Sequence, residues 1–258
     1  MSDWNAAQYL KFSNERTQPS LDLAVRIKDF ILDPKKIVDI GCGPGNSTAV
    51  LKSRFPQAEL WGVDNSPNML ADAKKNYPEI GWKLCDAATQ LHTLDTDFDL
   101  VFSNACIQWV PNHSALLVGF MDRLSPGGVL AVQVPYNQNE PIHRILKQLA
   151  LSERWQASFR EIRSFYTLRA DEYYQNLSSL SSRVVLWETI YYHILDSHLA
   201  ILEWYRGTGL RPYLNQLKEE EKDAFEQDVL NLIRENYPLQ PDGRVIFRFP
   251  RLFFIAVK

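Results

Sequence analysis

The sequence predicts an α/β fold, a doubly wound and mostly parallel sheet of seven strands that carries a helical cap. From Lys36 to about Val134, short apolar runs alternate with amphipathic stretches, the pattern of parallel strands joined by crossover helices. The first of these runs ends in alternating glycines and passes directly into a helical stretch. After Pro135 the alternation lapses over roughly 137–182 and the chain becomes richer in aromatic and charged residues, the composition of an insertion that covers a sheet.

Residues 37–40 read as the first strand, 46–55 as a helix and 59–63 as the second strand. Ser66-Pro67 offers a hydroxyl cap followed by proline at the first helical position, so a helix runs from 67 to about 76. Strands follow at 82–85, 98–103 and 129–134, the last preceded by a Pro126-Gly127-Gly128 turn. Two further strands at 183–194 and 252–257 complete the seven, with helices at 197–207 and 218–237 between them. The 258 residues form one domain, with cap elements at 1–30, about 137–182 and 197–240.

A 45% hydrophobic and 23% charged composition is that of an ordinary globular protein, and a net charge of −3 provides no chain-wide field for nucleic acid or an anionic bilayer. The longest apolar stretches fall well short of the roughly 20 residues that cross a membrane. The N-terminus lacks the cationic start and apolar run of a secretory signal, so a cytoplasmic protein is expected, most simply a monomer. Cys42, Cys85 and Cys106 are odd in number and have no C-x-x-C spacing, so they read as reduced thiols rather than disulfide or metal ligands.

The segment that bears most on function is Val38-Asp39-Ile40-Gly41-Cys42-Gly43-Pro44-Gly45-Asn46. Glycines at a strand exit allow a sharp turn and let a ligand lie directly on the backbone, in the usual crevice of open α/β sheets. Asp64 closes the second strand about twenty residues on, where a carboxylate can accept both hydroxyl protons of a ribose. That much suits a nicotinamide cofactor as well, although the spacing is G-x-G-x-G rather than G-x-G-x-x-G. Asp86 ends the third strand, a position where aspartate commonly forms a turn.

Asp39 with Gly41, Gly43 and Gly45, then Asp64, Asp86, the strand Phe98-Asp99-Leu100-Val101-Phe102-Ser103-Asn104 and Leu124-Ser125-Pro126-Gly127-Gly128 form an ordered set. Together they resemble the signature of class I S-adenosylmethionine-dependent methyltransferases, which have a Rossmann-like fold. The resemblance implies S-adenosyl-L-methionine as cofactor. It implies that the turn from Gly41 to Gly45 lies against the methionine and ribose, that Asp64 takes the ribose hydroxyls and that Asp86 bonds the adenine amino group. Asp39 would orient the methionine ammonium and Met69 would flank the adenine, with Cys42, Asn65, Ala87 and Asn104 also lining that pocket.

Further residues narrow the resemblance: Asp3-Trp4-Asn5 with Tyr9-Leu10-Lys11-Phe12 and Arg16, the run from Ser103 to Pro111, Gly207-Thr208-Gly209-Leu210-Arg211-Pro212, and Arg248-Phe249-Pro250-Arg251-Leu252-Phe253. These are similar to the trans-aconitate methyltransferase family over nearly the whole chain. The implied reaction is carboxylate O-methylation, giving a monomethyl ester and S-adenosylhomocysteine. A carboxylate is already ionised at neutral pH, so no general base is needed, and the protein's tasks are alignment and charge neutralisation.

Arginines are therefore the groups to look for, because guanidinium meets carboxylate with two parallel hydrogen bonds. The candidates are Arg211, Arg16, Arg251 and Arg163, with Tyr9, Trp109, Tyr192 and His193 completing the pocket. Any one arginine serves equally as a surface charge or in an ion pair, and a histidine in an apolar strand is more often core. Two alternatives stay open: methylation of the malonyl carboxyl on an acyl carrier protein, whose enzymes have a similar 104–109 region, and a non-catalytic module that binds the cofactor.

Overall fold

A computed structural model describes residues 13–162 and 165–258. Helix α1 (Ser13–Ile27) precedes five parallel strands, β1 (Lys36–Ile40), β2 (Glu59–Asp64), β3 (Gly81–Leu84), β4 (Phe98–Asn104) and β5 (Leu124–Pro135). Crossovers include α2 (Asn46–Arg54), α3 (Pro67–Asn76) and α4 (His113–Arg123). As Ser66-Pro67 predicts, the Ser66 hydroxyl accepts the Met69 N–H at 3.2 Å, and α3 starts at Pro67. Strands β6 (Arg183–Leu195) and β7 (Val245–Val257) complete the order β3-β2-β1-β4-β5-β7-β6, with β7 antiparallel to both neighbours. The strand order reverses between β1 and β4, so their C-terminal ends flank the crevice where ligands settle in such sheets.

Strand alternation divides the core. Val38, Ile40, Val101, Leu130, Val132 and Phe254 pack on one face against Leu117 and Phe120 of α4. Ile37, Leu100, Phe102, Val129, Ala131 and Phe253 pack on the other, against Leu23, Ala24 and Ile27 of α1 and Leu51 of α2. A third cluster lies where β6 and β7 run on past the end of β5. There Leu195, Val245, Phe247 and Phe249 carry three helices, α5 (Pro141–Ala150), α7 (His198–Arg206) and α9 (Glu219–Asn236), through Ile145, Trp204, Phe225 and Ile233. Helix α6 (Ala170–Ser178) inserts Tyr173 into the first cluster, and the short α8 (Arg211–Leu214) follows α7.

The sequence reading differs from the structure in two strands. β7 begins at Val245 rather than 252, because Pro250 masks the continuity of the apolar run. Pro250 falls just beyond the β5 ladder, where its carbonyl accepts the Tyr136 N–H at 2.9 Å. Pro126-Gly127-Gly128 is a bulge inside β5 rather than a turn before it, with the register slipping between Phe98 and Leu100 and Gly127 at φ 76°. Helices α5 and α6 fall within 137–182, where strand-helix alternation was expected to lapse. Among the described residues no helix is long and apolar enough to cross a membrane, and the three cysteines are free thiols.

Candidate active site

The exit of β1 is pinned by two hydrogen bonds, with the Gly41 and Cys42 N–H groups both donating to the Val63 carbonyl at 2.8 and 3.0 Å. Gly41 takes φ 77°, and a Cβ there would lie 2.2 Å from Cys106 Sγ, so only glycine lets the turn pass the loop after β4. Gly43, at φ 55°, is the reverse case: no atom lies within 4 Å of the place its Cβ would occupy, so bare backbone faces open space. Gly45, at φ 96°, caps α2. Burial pushes the Cys42 and Cys106 thiols up, which keeps them protonated and unreactive.

Three carboxylates surround this turn. Asp39 is fully buried, and its Oδ2 accepts the Ser47 and Thr48 hydroxyls at 2.6 and 2.7 Å, while Oδ1 has no hydrogen-bond partner among the described residues. Burial raises its pKa to about 6 against the two hydroxyls, which favour the anion, with the nearby charge of Asp64 adding a little. Asp64, at the end of β2, accepts the Gly43 N–H through Oδ2 and the Ser66 N–H through Oδ1, both at 2.9 Å. Asp64 thereby also braces the turn and the start of α3. Asp86 accepts the Ala88 N–H at 2.9 Å, the turn-forming role its residue type suggests, and remains half-buried. Ala87 is half-buried beside it, Asn65 is exposed after β2, and Met69 is buried in α3.

The second half of the site lies on the same sheet face. Continuing the alternation of Ile37, Phe102, Ala131 and Phe253 places Asp39, Asn104, Gln133 and Arg251 on the α1 side of the sheet. Arg251 is 3% exposed, donates to Gln133 Oε1 at 3.2 Å and lies 4.6 Å from the Phe249 ring centroid and 6.0 Å from that of Tyr191. Arg16, on α1, is also buried; it donates to the Trp204 carbonyl at 3.2 Å and covers the Trp204 ring at 5.4 Å. His193 packs against that same Trp204 ring at 4.8 Å. Burial first, and the Arg251 charge second, lower the pKa of His193 to about 4, so it is neutral at neutral pH.

Of the sequence candidates, Arg16, Arg251 and His193 are thus brought together, Arg16 and His193 through the Trp204 ring and Arg251 through Phe249, which packs on both His193 and Trp204. Tyr192 is corrected: it is 60% exposed, because adjacent residues of a strand point to opposite faces, and the inward ring is Tyr191, whose hydroxyl bonds Asp22 on α1. Trp109 is half-buried in a 3₁₀ turn after β4, and Arg211 is half-buried at the start of α8. Tyr9 and Arg163 lie outside the described residues. Gln133, Tyr191 and Trp204 escaped the sequence reading, and only the inward polar residue in Ala131-Val132-Gln133-Val134 signalled any of them.

A family model described as a methyltransferase domain matches residues 37–128. A trans-aconitate 2-methyltransferase of Rhodopseudomonas palustris (strain BisB18) is 43% identical over 260 residues, covering 100% of both chains. One from Methylobacterium nodulans is 43% identical, covering 99% of this chain and 98% of its own. The chain belongs to the trans-aconitate 2-methyltransferase family. The fold of this family member is also found in the YcgJ protein of Bacillus subtilis, at 15% identity and TM-score 0.60, covering 93% of this chain and 98% of that one. A phosphoethanolamine N-methyltransferase 2 of Haemonchus contortus, solved with S-adenosylhomocysteine, shares the fold at 19% identity and TM-score 0.56, covering 93% of this chain and 52% of its own.

Proposed function

We propose that this enzyme transfers the methyl group of S-adenosyl-L-methionine to a carboxylate of trans-aconitate, giving the monomethyl ester and S-adenosylhomocysteine. The observation that carries the reading is the arrangement of one sheet face. The buried carboxylate of Asp39 lies beside the glycine turn, and the buried guanidinium of Arg251 lies on β7, beyond β4 and β5. A cationic cofactor and an anionic substrate need those two ends.

The turn fits the cofactor. Asp39 Oδ1 is a buried acceptor without a partner among the described residues, suited to the methionine ammonium, and the open side of Gly43 leaves room for a ligand against backbone. Gly41, Cys42, Gly43 and Gly45 form the floor, Asp64 and Asn65 take the ribose, and Met69, Asp86, Ala87 and Asn104 take the adenine side and the approach to the methyl group. When bound, S-adenosylmethionine supplies an electrophilic methyl on its sulfonium.

The remaining work falls to the chain's own residues. The substrate carboxylate arrives ionised, so no side chain has to remove a proton, and neutral His193 is not required as a base. Arg251 and Arg16 neutralise carboxylates that do not react, with Arg211 and Trp109 closing the pocket. Helices α5, α7 and α9 form the substrate cap and exclude water, which strengthens each charged contact inside. We place the enzyme in the cytoplasm, as a monomer acting on a small di- or tricarboxylate. Steady-state assays with trans-aconitate, cis-aconitate, citrate and a malonyl thioester on acyl carrier protein test the reading. The highest kcat/KM is expected for trans-aconitate; no ester at millimolar trans-aconitate, or preference for the carrier thioester, would overturn it.

A further inference from the structure

Gln133 lies on an interior strand, is 0% exposed, and continues the inward row of Val129 and Ala131. A buried amide on an apolar face is costly unless both of its ends are satisfied. One end is, since Oε1 accepts from Arg251 Nη1 at 3.2 Å. Guanidinium nitrogens only donate, so the amide oxygen has to face Arg251, and Nε2 is left on the other branch of the same amide. That Nε2 has no hydrogen-bond partner among the described residues.

Gln133 is one of several buried polar residues along this face with an unpartnered atom. Asn104, its register partner on β4, has an unpartnered Oδ1, and Asp39 Oδ1 on β1 is another. The atoms are sorted by chemistry along the strand order β1-β4-β5-β7. Asp39 supplies an acceptor at the β1 end, whereas the Gln133 amide and the Arg251 guanidinium place donors at the β5 and β7 end. With neighbouring strands roughly 5 Å apart, the donor end lies two to three strand spacings from the turn that faces the cofactor. The walls beside it, Phe249, Tyr191 and His193, are neutral, so the donors face no competing anion from those three side chains.

We propose that Gln133 determines specificity: its Oε1 fixes the Arg251 guanidinium, and its Nε2 gives a non-reacting substrate carboxylate a second donor beside that arginine. This rests on the reading that the substrate is a polycarboxylate. The arrangement selects against a substrate carrying a carboxamide at that position, because the NH₂ of the amide would meet donors. Gln133 is a reader of the acid and has no part in holding the cofactor.

Titration of trans-aconitate into protein saturated with S-adenosylhomocysteine tests the assignment, using wild type, Gln133→Met and the isosteric Gln133→Glu. Loss of a charge-assisted hydrogen bond should weaken trans-aconitate binding roughly tenfold to a hundredfold in Gln133→Met, with S-adenosylhomocysteine affinity unchanged. In steady state the same variant should raise KM for the acid far more than it lowers kcat. Gln133→Glu engages Arg251 with a carboxylate of its own, so it should bind the acid more weakly still and shift preference toward the monoamide of trans-aconitate, which can donate to the new acceptor. Heat from wild type that is undiminished in Gln133→Met, or an acid-to-amide preference unchanged in Gln133→Glu, overturns the role and leaves the reaction standing. Absence of heat from wild type overturns both.

Discussion

Asp39 shows how a single residue links folding to binding. Its carboxyl titrates at about 6 in the fold against 3.8 as a free side chain, mainly because burial disfavours the anion. A raised pKa means that the stabilising contribution is fully present below pH about 4 and is lost as pH rises through 6, a cost on the order of 3 kcal/mol to the cofactor-free protein. A bound ammonium would remove that cost, so cofactor affinity should strengthen as pH rises through 6, with a proton released on binding. Calorimetry in buffers of differing ionisation enthalpy reads that proton, and Asp39→Asn should abolish both the release and the pH slope. Retention of the slope in Asp39→Asn would assign it to another group. The carboxylates Asp39, Asp64 and Asp86 were legible from sequence because each stands at a strand end beside a local landmark. Tyr191 was not, because choosing between Tyr191 and Tyr192 depends on which face β6 turns inward, and the pairing with β7 sets that choice.

At the scale of elements, the turn after β1 separates two uses of glycine that look identical in sequence. At Gly41 a methyl group would collide with Cys106 Sγ at 2.2 Å, and φ is 77°, so Gly41→Ala should lower stability by about 1–3 kcal/mol, read as a reduced urea midpoint. At Gly43 the same methyl enters open space, so Gly43→Ala should cost about 1 kcal/mol in backbone strain while weakening cofactor binding well beyond that loss. Normal cofactor affinity in Gly43→Ala would mean that the ligand does not lie on this backbone. The glycine pattern was plain in the sequence, but which glycine is needed for packing and which for space depends on Cys106, some sixty residues away. The starts of β5 and β7 were obscured for a related reason: proline and glycine suggest breaks, and only the ladder shows a bulge tolerated at Gly127 and a proline tolerated where β5 has ended.

Across the whole molecule, two core clusters sandwich the sheet and a third is built on the overhang of β6 and β7. Cap and sheet share strands, so a defect in the cap core should reach the substrate site before it reaches the glycine turn. Phe225 is fully buried there, meeting the Trp155 and Phe159 rings edge-on at 5.1 and 5.3 Å. Phe225→Ala should cost about 3–5 kcal/mol and raise KM for the acid more than it weakens the cofactor; equal loss of both would argue against a separate substrate cap. A change in composition after Pro135 was legible, and α5 and α6 fall in that stretch. The contact between Arg16 and Trp204 that joins α1 to the cap was not, because it spans most of the chain. The central claim is most directly tested by single-turnover mixing of the wild-type enzyme with methyl-¹³C S-adenosylmethionine and trans-aconitate, followed by carbon NMR. One labelled methyl ester for each S-adenosylhomocysteine released is predicted; S-adenosylhomocysteine without labelled ester, or no turnover at all, would contradict the account.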